Sequence, residues 1–416
     1  MAGARPGRPV EGARLMRLAV YSDFSYRRQG DALYAELPFV LFLVGLAPHF
    51  DRLVLVGRLD PSPGELPYAV PASVDFAPLP YYARLSTPGA ALVGSLAALR
   101  RFWRVLDGVD VVWLLGPHPL ALAFAVLARA RGRRIALGIR QDFPRYTRYR
   151  HPARRSLHLA AAVLQRLFVW LGKHTAVVVV GSELARQYGS AARLLEVWIS
   201  LVSEADIADE DALHTRRYDG ELRALSVGRL EAEKNPLLLA EILALLRERD
   251  DRWRLVVCGD GPMTGEVAAR MEELGVREAA DLRGYVPIDG PLLDLYRSSH
   301  AFLHVSWTEG MPQVLIEAFA AGLPVVATAV GGVPEVAGEG ALLVPPGDAP
   351  AAARELERLA REPELRARLV EAGLALVRAH TLESESARVA QFLAGQDPGP
   401  AGSAADRGSR AQRGAP

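Results

Sequence analysis

The chain has 416 residues, half of them hydrophobic, and its 49 lysines and arginines balance 48 acidic residues. That length favours two domains with cores of ordinary size. The formal net charge of +1 gives no general attraction for nucleic acid. The single cysteine, Cys258, excludes both a disulfide framework within the chain and a cysteine metal cage.

The two ends of the chain differ in composition from its middle. Residues 1–15 are rich in Gly, Pro and Arg, and we expect a disordered or non-native extension there. A similar composition over 396–416 predicts a disordered tail. The apolar runs 37–46 and 157–171 fall short of the ~20 residues of a membrane span. No signal peptide is visible, so we expect a cytoplasmic protein.

Short strand patterns and helix patterns alternate from residue 16 onward. Near-continuous apolar strands are typical of a parallel sheet that is buried on both faces. The alternation predicts an α/β domain over residues 16–203, doubly wound and Rossmann-like. Its strand runs are 17–21, 53–56, 109–115, 134–138 and 175–180, and its helical patterns are 92–106, 120–130 and 156–171.

The same alternation starts again at residue 222 and predicts a second Rossmann-like domain over 221–380. The polar, acidic segment 204–220 is the expected linker, and a helix is expected within 381–395. The strand runs of this half are 222–227, 253–258, 280–284, 301–305, 324–327 and 341–344, and the first two helical patterns are 236–249 and 263–274.

Four loops of the second half follow predicted strands, at the edge where open α/β sheets bind ligands. The first runs from Gly228 to Pro236 and carries Arg229 and Lys234. Two cations beside a helix N-terminus can clamp a diphosphate. The alternative is ordinary surface charge in contact with solvent.

The second and third loops are marked by glycines. Gly259 opens a Gly-Asp-Gly-Pro turn after an apolar strand, where a glycine permits close approach of the backbone to a ligand. A tight strand-to-helix turn explains this glycine equally well. The third loop, 283–287, includes Val286 and can place its backbone against a nucleobase.

The fourth loop brings two carboxylates to the start of a helix. Glu309 precedes the predicted helix, and Glu317 lies inside it, about 7–8 Å further along the axis. The N–H groups near Gly310, Met311 and Gln313 can face an anion. This pattern predicts a site for a polyhydroxylated ligand that carries a diphosphate. The alternative makes one glutamate a helix-dipole partner and the other a surface charge.

Taken together, these loops resemble a known family. The loop from Gly228, the Gly-Asp-Gly-Pro turn, a Gly-Tyr-Val-Pro loop, the Glu-x7-Glu pair and a Val-Gly-Gly-Val-Pro-Glu run follow one another between residues 222 and 346. They resemble the retaining glycosyltransferases of the GT-B fold, family 4 and its relatives. The resemblance implies two Rossmann-like domains that face a cleft, with the donor held by the C-terminal domain.

The resemblance also implies a role for each matching residue. Arg229 and Lys234 neutralise the diphosphate of the donor. Glu309 holds hydroxyls of the transferred sugar, and Glu317 holds the ribose. The implied phosphate-facing turn is Gly310, Met311 and Pro312, the residue near the base is Val286, and the other donor-binding glycines are Gly228 and Gly259.

The implied reaction moves a hexose from a UDP-, GDP- or ADP-linked donor to a glycan, lipid-linked or small-molecule acceptor, with retention at the anomeric carbon. The leaving diphosphate gains negative charge that must be stabilised in the transition state. The resemblance implies no metal and no other cofactor, so we expect Arg229, Lys234 and Glu309 to be the catalytic residues. It also suggests bacterial polysaccharide biosynthesis as the setting.

The N-terminal domain is expected to bind the acceptor. Gly30, in the run 27–31 after the first predicted strand, is the candidate for a glycine that approaches the donor phosphates. His118 follows the strand 111–115 and either lines the cleft or has no role.

The sequence departs from the family pattern after the strand 134–138. Members of the family often carry a histidine there, whereas this chain reads Ile-Arg-Gln-Asp-Phe over 139–143. One of Arg140, Gln141 and Asp142 is therefore expected to take that place on the acceptor side.

A basic segment follows. Residues 140–155 contain six arginines, one acid and three aromatic residues, and the apolar-rich segment 156–171 comes next. One interpretation is contact with an anionic membrane, at its inner face, or with a lipid-pyrophosphate acceptor. The alternative is a solvated basic loop before a core-packing helix. No recognised nucleic-acid-binding module accompanies it, so we expect no nucleic-acid partner.

Two other functions stay open. A nucleotide-sugar epimerase can share this architecture and needs no acceptor. A non-catalytic protein that binds a nucleotide sugar or a partner could have the same fold with a degenerate site. The donor half keeps its four charged candidates, which argues against degeneration, whereas the altered segment 139–143 favours it.

Overall fold

The computed structural model of the chain describes residues 16–82, 88–151, 153–209, 216–288 and 290–398. The described residues form two α/β domains, each built on its own sheet. The expected extension 1–15, part of the expected linker (210–215) and most of the expected tail (399–416) lie outside the described residues. In the described ranges, no helix is long and apolar enough to cross a membrane.

The N-terminal domain has a nine-stranded sheet. Seven strands run parallel in the order β5-β3-β1-β6-β7-β8-β9. At the C-terminal end of β1, β2 pairs antiparallel with β1, and β4 pairs antiparallel with β2. The strands are β1 Arg17–Gln29, β2 Ala32–Ala35, β3 Arg52–Asp60, β4 Tyr68–Val70, β5 Asp75–Leu79, β6 Val111–Gly116, β7 Arg134–Ile139, β8 Ala176–Val180 and β9 Arg193–Val197. The helices are α1 Phe39–Gly45, α2 Pro88–Val105, α3 Pro119–Ala130, α4 Phe143–Arg150, α5 Arg155–Gly172 and α6 Ser182–Gln187.

Both faces of this sheet are buried, as the apolar strands predict. Side chains alternate along a strand, so Leu18 and Val20 enter one core while Ala19 and Tyr21 enter the other. Because the carboxyl ends of the parallel strands meet at one edge, the loops that follow them come together there.

The first strand is longer than the sequence predicts. β1 continues past Tyr21 with a shift in register before Ser25, and its last residues pair with β2. Gly30 therefore lies in the tight turn between β1 and β2, where its φ of 58° suits glycine. Residues 27–29, expected in the loop after the first strand, belong to that strand. The role of Gly30 towards the donor phosphates stays a prediction.

The C-terminal domain is a six-stranded parallel sheet in the order β12-β11-β10-β13-β14-β15. The prediction of two doubly wound parallel-sheet domains is confirmed. The strands are β10 Leu222–Val227, β11 Trp253–Cys258, β12 Ala280–Gly284, β13 Ala301–His304, β14 Val325–Thr328 and β15 Ala341–Val344. The helices are α7 Leu237–Arg247, α8 Thr264–Glu273, α9 Pro291–Ser298, α10 Gln313–Ala320, α11 Val333–Ala337, α12 Ala349–Arg361 and α13 Pro363–Ala379.

The last described helix, α14 (Leu382–Leu393), returns to the N-terminal domain. Thr381 caps it by accepting a hydrogen bond from the Ser384 N–H. Its apolar face, which includes Val389 and Phe392, completes the core that contains Leu18 and Val20. The two domains are thus joined twice, once by the segment after β9 and once by this helix.

Candidate active site

The carboxyl ends of the two sheets face each other across a cleft that holds two cavities. A cavity of about 400 Å³ is lined mainly by the C-terminal domain. A second, of about 420 Å³, has walls from both domains. The residues common to both walls are Arg140, Arg229, Lys234, Glu309 and Met311.

Glu309 is the centre of a hydrogen-bonded cluster. Its Oε1 atom lies 2.6 Å from Lys234 Nζ, 2.7 Å from the donating Ser306 Oγ and 2.9 Å from His304 Nε2. Burial by itself raises the pKa of Glu309, but the His304 hydrogen bond and the charge of Lys234 outweigh it and lower the pKa to about 2. Glu309 is therefore a carboxylate throughout the physiological pH range.

A glycine pair fixes the backbone of the Glu309 loop. A Cβ atom at Gly331 would lie 1.9 Å from the Glu309 carbonyl oxygen, and one at Gly332 would lie 1.9 Å from the Gly310 oxygen. The Gly332 N–H also donates to the Glu309 oxygen at 3.3 Å. Gly331 and Gly332, to which the sequence analysis assigned no role, pack too closely against the Glu309 loop to carry any side chain.

Arg229, the second predicted diphosphate ligand, is paired with two acids of its own loop. Its guanidinium lies 2.8 Å from Glu231 and 2.8 Å from Glu233, and about half of its side chain is exposed. Ion pairs of this exposure contribute little to stability, so a ligand can replace them at small cost. Both predicted cations thus lie at the cavity, and each is paired with a carboxylate.

The three glycine-marked loops meet at one edge of the sheet. Gly259 has a φ of 147°, and a Cβ there would lie 1.8 Å from the Gly228 carbonyl oxygen, so only glycine fits. The Gly259 N–H donates to the Gly284 oxygen at 2.7 Å. Gly228 lines the first cavity, whereas the described walls of both cavities leave out Gly259 and Val286. The tight turn thus has a structural reason, and the nucleobase role of Val286 stays a prediction.

The predicted phosphate-facing turn leads into α10. Met311 and Pro312 line the first cavity, and Gly310 lines the second. The first N–H groups of a helix have no acceptor within it, so they offer an anion-binding end beside Lys234 and Glu309.

Glu317, the second carboxylate of the pair, is buried inside the domain. Its Oε2 atom accepts a hydrogen bond from the Tyr296 hydroxyl at 2.8 Å. Burial raises the pKa of Glu317 to about 7, against the opposing effect of that hydrogen bond. The described walls of the two cavities leave out Glu317. Its role towards a ribose stays a prediction.

Arg140 is the side chain that the altered segment presents to the cleft. It follows β7, stacks on Phe39 with 3.7 Å between its guanidinium carbon and the ring centre, and lines both cavities. Burial lowers the pKa of Arg140 to about 10, so it stays cationic at neutral pH. Its Nε atom is buried without a hydrogen-bond partner among the described residues. Arg140 is therefore a cationic side chain in the cleft that can bind an anionic group of a ligand.

The two residues after Arg140 line the second cavity, as the sequence predicts for this side of the cleft. Gln141 is exposed there, and Asp142 caps α4 by accepting from the Arg145 N–H at 2.8 Å. Arg145 in turn donates to Thr308 Oγ1 across the cleft at 2.9 Å. The sequence gives no sign of this contact between domains.

His118 belongs to a cluster in the N-terminal domain. Its Nδ1 atom accepts from the Leu120 N–H at 3.3 Å and lies 2.9 Å from the Tyr21 hydroxyl. Burial lowers its pKa. The walls of the two cavities, as far as the chain is described, include neither His118 nor Gly30. The described residues contain no group of three or more His, Cys, Asp and Glu that could hold a metal ion.

The C-terminal half of the chain is similar to a known protein family. Residues 209–375, which contain the donor-side loops, match the family model of glycosyl transferases group 1. Over these residues, the C-terminal domain is similar to this family. The predicted resemblance to group 1 glycosyltransferases of the GT-B fold is confirmed.

Curated glycosyltransferases align with part of the chain. The D-inositol 3-phosphate glycosyltransferase of Streptomyces griseus is 38% identical over 151 residues, which is 34% of this chain and 32% of that protein. The O-antigen chain mannosyltransferase B of Escherichia coli is 35% identical over 127 residues, 30% of this chain and 33% of that protein. The chain thus spans about a third of the length of these relatives.

Solved GT-B structures match nearly the whole fold. HepE of Anabaena, in complex with UDP and glucose, has a TM-score of 0.66 at 14% identity and covers 91% of this chain and 99% of its own. WaaG, a glycosyltransferase involved in lipopolysaccharide biosynthesis, has a TM-score of 0.66 at 16% identity and covers 90% of this chain and 99% of its own. At such identities the likeness concerns the fold.

Proposed function

We propose that this protein is a glycosyltransferase that takes a sugar from a nucleotide-diphosphate donor bound in the cleft. The observation that carries the proposal is the convergence of Lys234, His304 and Ser306 on the ionised Glu309, directly before α10. A cation, a helix N-terminus and a fixed carboxylate at one cavity suit a ligand that combines phosphates with sugar hydroxyls.

In the proposed complex, the diphosphate takes Lys234 and Arg229 from their present carboxylate partners. Glu309 keeps the hydrogen bonds of His304 and Ser306, and its freed lone pairs accept hydroxyl groups of the transferred sugar. As the sugar leaves, negative charge grows on the β-phosphate. The two cations and the N–H groups of α10 stabilise that charge in the transition state more than in the ground state.

The finer assignments rest on family resemblance. They are a hexose as the transferred sugar, retention at the anomeric carbon, a reaction without metal, and a glycan or lipid-linked acceptor on the N-terminal side. We propose a UDP-linked donor as the first to test, because the HepE structures contain UDP and UDP-glucose. A setting in bacterial polysaccharide biosynthesis belongs to the same proposal.

The test is a thermal-shift panel of UDP, GDP, ADP and their common sugars. A ligand at 100 times its dissociation constant should stabilise the native state by about 2.7 kcal/mol. A shift with one base supports the proposal and identifies the nucleotide. No shift with any of them, on folded protein, contradicts it and favours a protein that binds something else.

Product analysis distinguishes a glycosyltransferase from a nucleotide-sugar epimerase. The donor identified by the panel is incubated without an acceptor, and its sugar is analysed. An epimerised nucleotide sugar would assign the alternative activity. A transferase leaves the sugar configuration of the unreacted donor unchanged and forms product only with acceptor, whose anomeric configuration is read by NMR. Activity that persists in EDTA agrees with metal independence.

A further inference from the structure

Helix α5 exposes an apolar stripe on the surface of the N-terminal domain. Leu159 is 69% exposed, Val163 46%, Leu167 44% and Trp170 59%. Their spacing of four, four and three residues places them along one side of the helix. The opposite side, which includes Phe168, packs into the domain core. The stripe is thus not needed for the described fold and is available to another surface.

The surroundings of this stripe carry charge of one sign. Residues 143–175, which span α4, α5 and the turn between them, contain seven arginines and lysines and no aspartate or glutamate. The first turn of α5 also lacks an acidic residue, so no carboxylate there offsets the arginines. The exposed cations around the stripe are Arg148, Arg154, Arg155, Arg166 and Lys173.

We infer that the α5 surface, defined by Leu159, Val163, Leu167, Trp170 and these cations, docks on an anionic lipid bilayer. An amphipathic helix of this kind lies in the plane of the interface with its apolar side among the acyl chains and its cations at the headgroups. Tryptophan suits that boundary because its ring is apolar and its N–H is polar. Anionic lipids at the inner leaflet supply the matching charge.

The charge pattern favours a bilayer over a second copy of the chain. A two-fold dimer places the same patch against itself. Here it would oppose arginines with arginines, with no acid of 143–175 to pair with them. An anionic lipid surface satisfies the apolar stripe and the cations together.

The docking surface lies next to the opening of the cleft. Helix α4 packs on α5, and its residues Arg145 and Tyr146 line the cavity that spans both domains. A docked protein would therefore hold this cavity close to the lipid surface, where a lipid-linked acceptor arrives. This last step rests on the proposed transferase function, whereas docking itself does not.

The experiment is co-sedimentation of the full chain with vesicles. Vesicles of equal parts phosphatidylglycerol and phosphatidylcholine are compared with pure phosphatidylcholine, at low and high salt. Wild type should sediment with the anionic vesicles at low salt and be released by salt. The double variant Leu159→Gln/Leu167→Gln should bind at least tenfold more weakly, because two leucine side chains no longer enter the apolar part of the bilayer. Arg154→Gln/Arg155→Gln should weaken binding about fivefold for each arginine.

A matched control is Leu343→Gln, which replaces a residue 40% exposed on β15 of the C-terminal domain. It should bind vesicles as wild type does. Failure of wild type to bind anionic vesicles, or equal binding by the leucine variant, overturns the inference. The inference is also overturned if light scattering shows a dimer of the wild type and a monomer of the leucine variant. A cooperative thermal unfolding transition without ligand shows that the same variants are folded, and nucleotide-induced shifts report the donor site separately, so loss of docking is distinguished from failure of the proposed function.

Discussion

Replacement of Lys234 by alanine separates the two halves of the donor site. Lys234 Nζ lies 2.6 Å from Glu309 Oε1, in a pair whose members are 24% and 9% exposed. In the proposed complex this ammonium turns to the diphosphate. A hydrogen bond to a charged group contributes about 1.5–3 kcal/mol, so Lys234→Ala should weaken binding of the cognate nucleotide diphosphate about 10- to 150-fold.

The partner variant, Glu309→Gln, should behave differently. It removes the negative charge that now holds Lys234, while the amide oxygen still accepts from His304 and Ser306. Nucleotide diphosphate binding should stay as in wild type or become tighter. Sugar transfer should fall about a hundredfold or more, because the group that orients and stabilises the sugar loses its charge.

Isothermal titration with the nucleotide diphosphate, followed by steady-state transfer assays, measures both effects. Lys173→Ala is the matched control, since Lys173 is the other lysine of the chain and lies away from the cleft cavities. It should bind nucleotide as wild type does. Equal loss of nucleotide binding in Lys234→Ala and Glu309→Gln would refute the division of roles. Wild-type affinity in Lys234→Ala would remove this residue from the diphosphate site.

Three further changes test other parts of the site. Burial raises the pKa of Glu317 from 4.5 to about 7, so its ionisation lowers the free energy of unfolding as pH rises through that range, by at most about 3 kcal/mol. Glu317→Gln should therefore be more stable than wild type in urea at pH 8 and similar to it at pH 4. Equal stability of the two proteins at pH 8 would contradict this. Gly331→Ala should lower both the melting temperature and nucleotide affinity, because its methyl group meets the Glu309 backbone. Gly265→Ala, whose Cβ meets nothing within 4 Å in helix α8, should lower neither. Arg140→Gln should weaken binding of the nucleotide sugar about tenfold without lowering stability, because the Nε atom of the cation that it removes is buried without a hydrogen-bond partner. A large loss of stability instead would make Arg140 a structural residue.

The bounds of the strands in the C-terminal domain could be predicted from the sequence to within about one residue. The predicted runs 222–227, 253–258 and 280–284 coincide with β10, β11 and β12. The reason is physical: a strand buried on both faces is a continuous apolar run, and the glycines after it mark where it ends. Lys234 and Glu309 could be predicted as site residues because they lie in such loops.

Other features depended on contacts that sequence patterns do not carry. The second half of β1 is rich in polar and aromatic residues and is a strand because β2 and β3 pair with it. The bounds of α14 were predictable, but an apolar helix face does not say which domain it covers. His304 and Ser306 lie only a few residues before Glu309 in the sequence, yet only the turn of the chain after β13 brings both to its carboxylate. The missing histidine was visible, whereas the unpaired state of Arg140 was not.

The most direct test of the proposed donor site is a crystal structure of the chain with its cognate nucleotide diphosphate. The β-phosphate should lie within hydrogen-bond distance of Lys234 Nζ and of the N–H groups at the start of α10. Glu309 should have lost its contact with Lys234 and kept those with His304 and Ser306. A nucleotide bound elsewhere, with the pair between Lys234 and Glu309 intact, would contradict the assignment of this cavity.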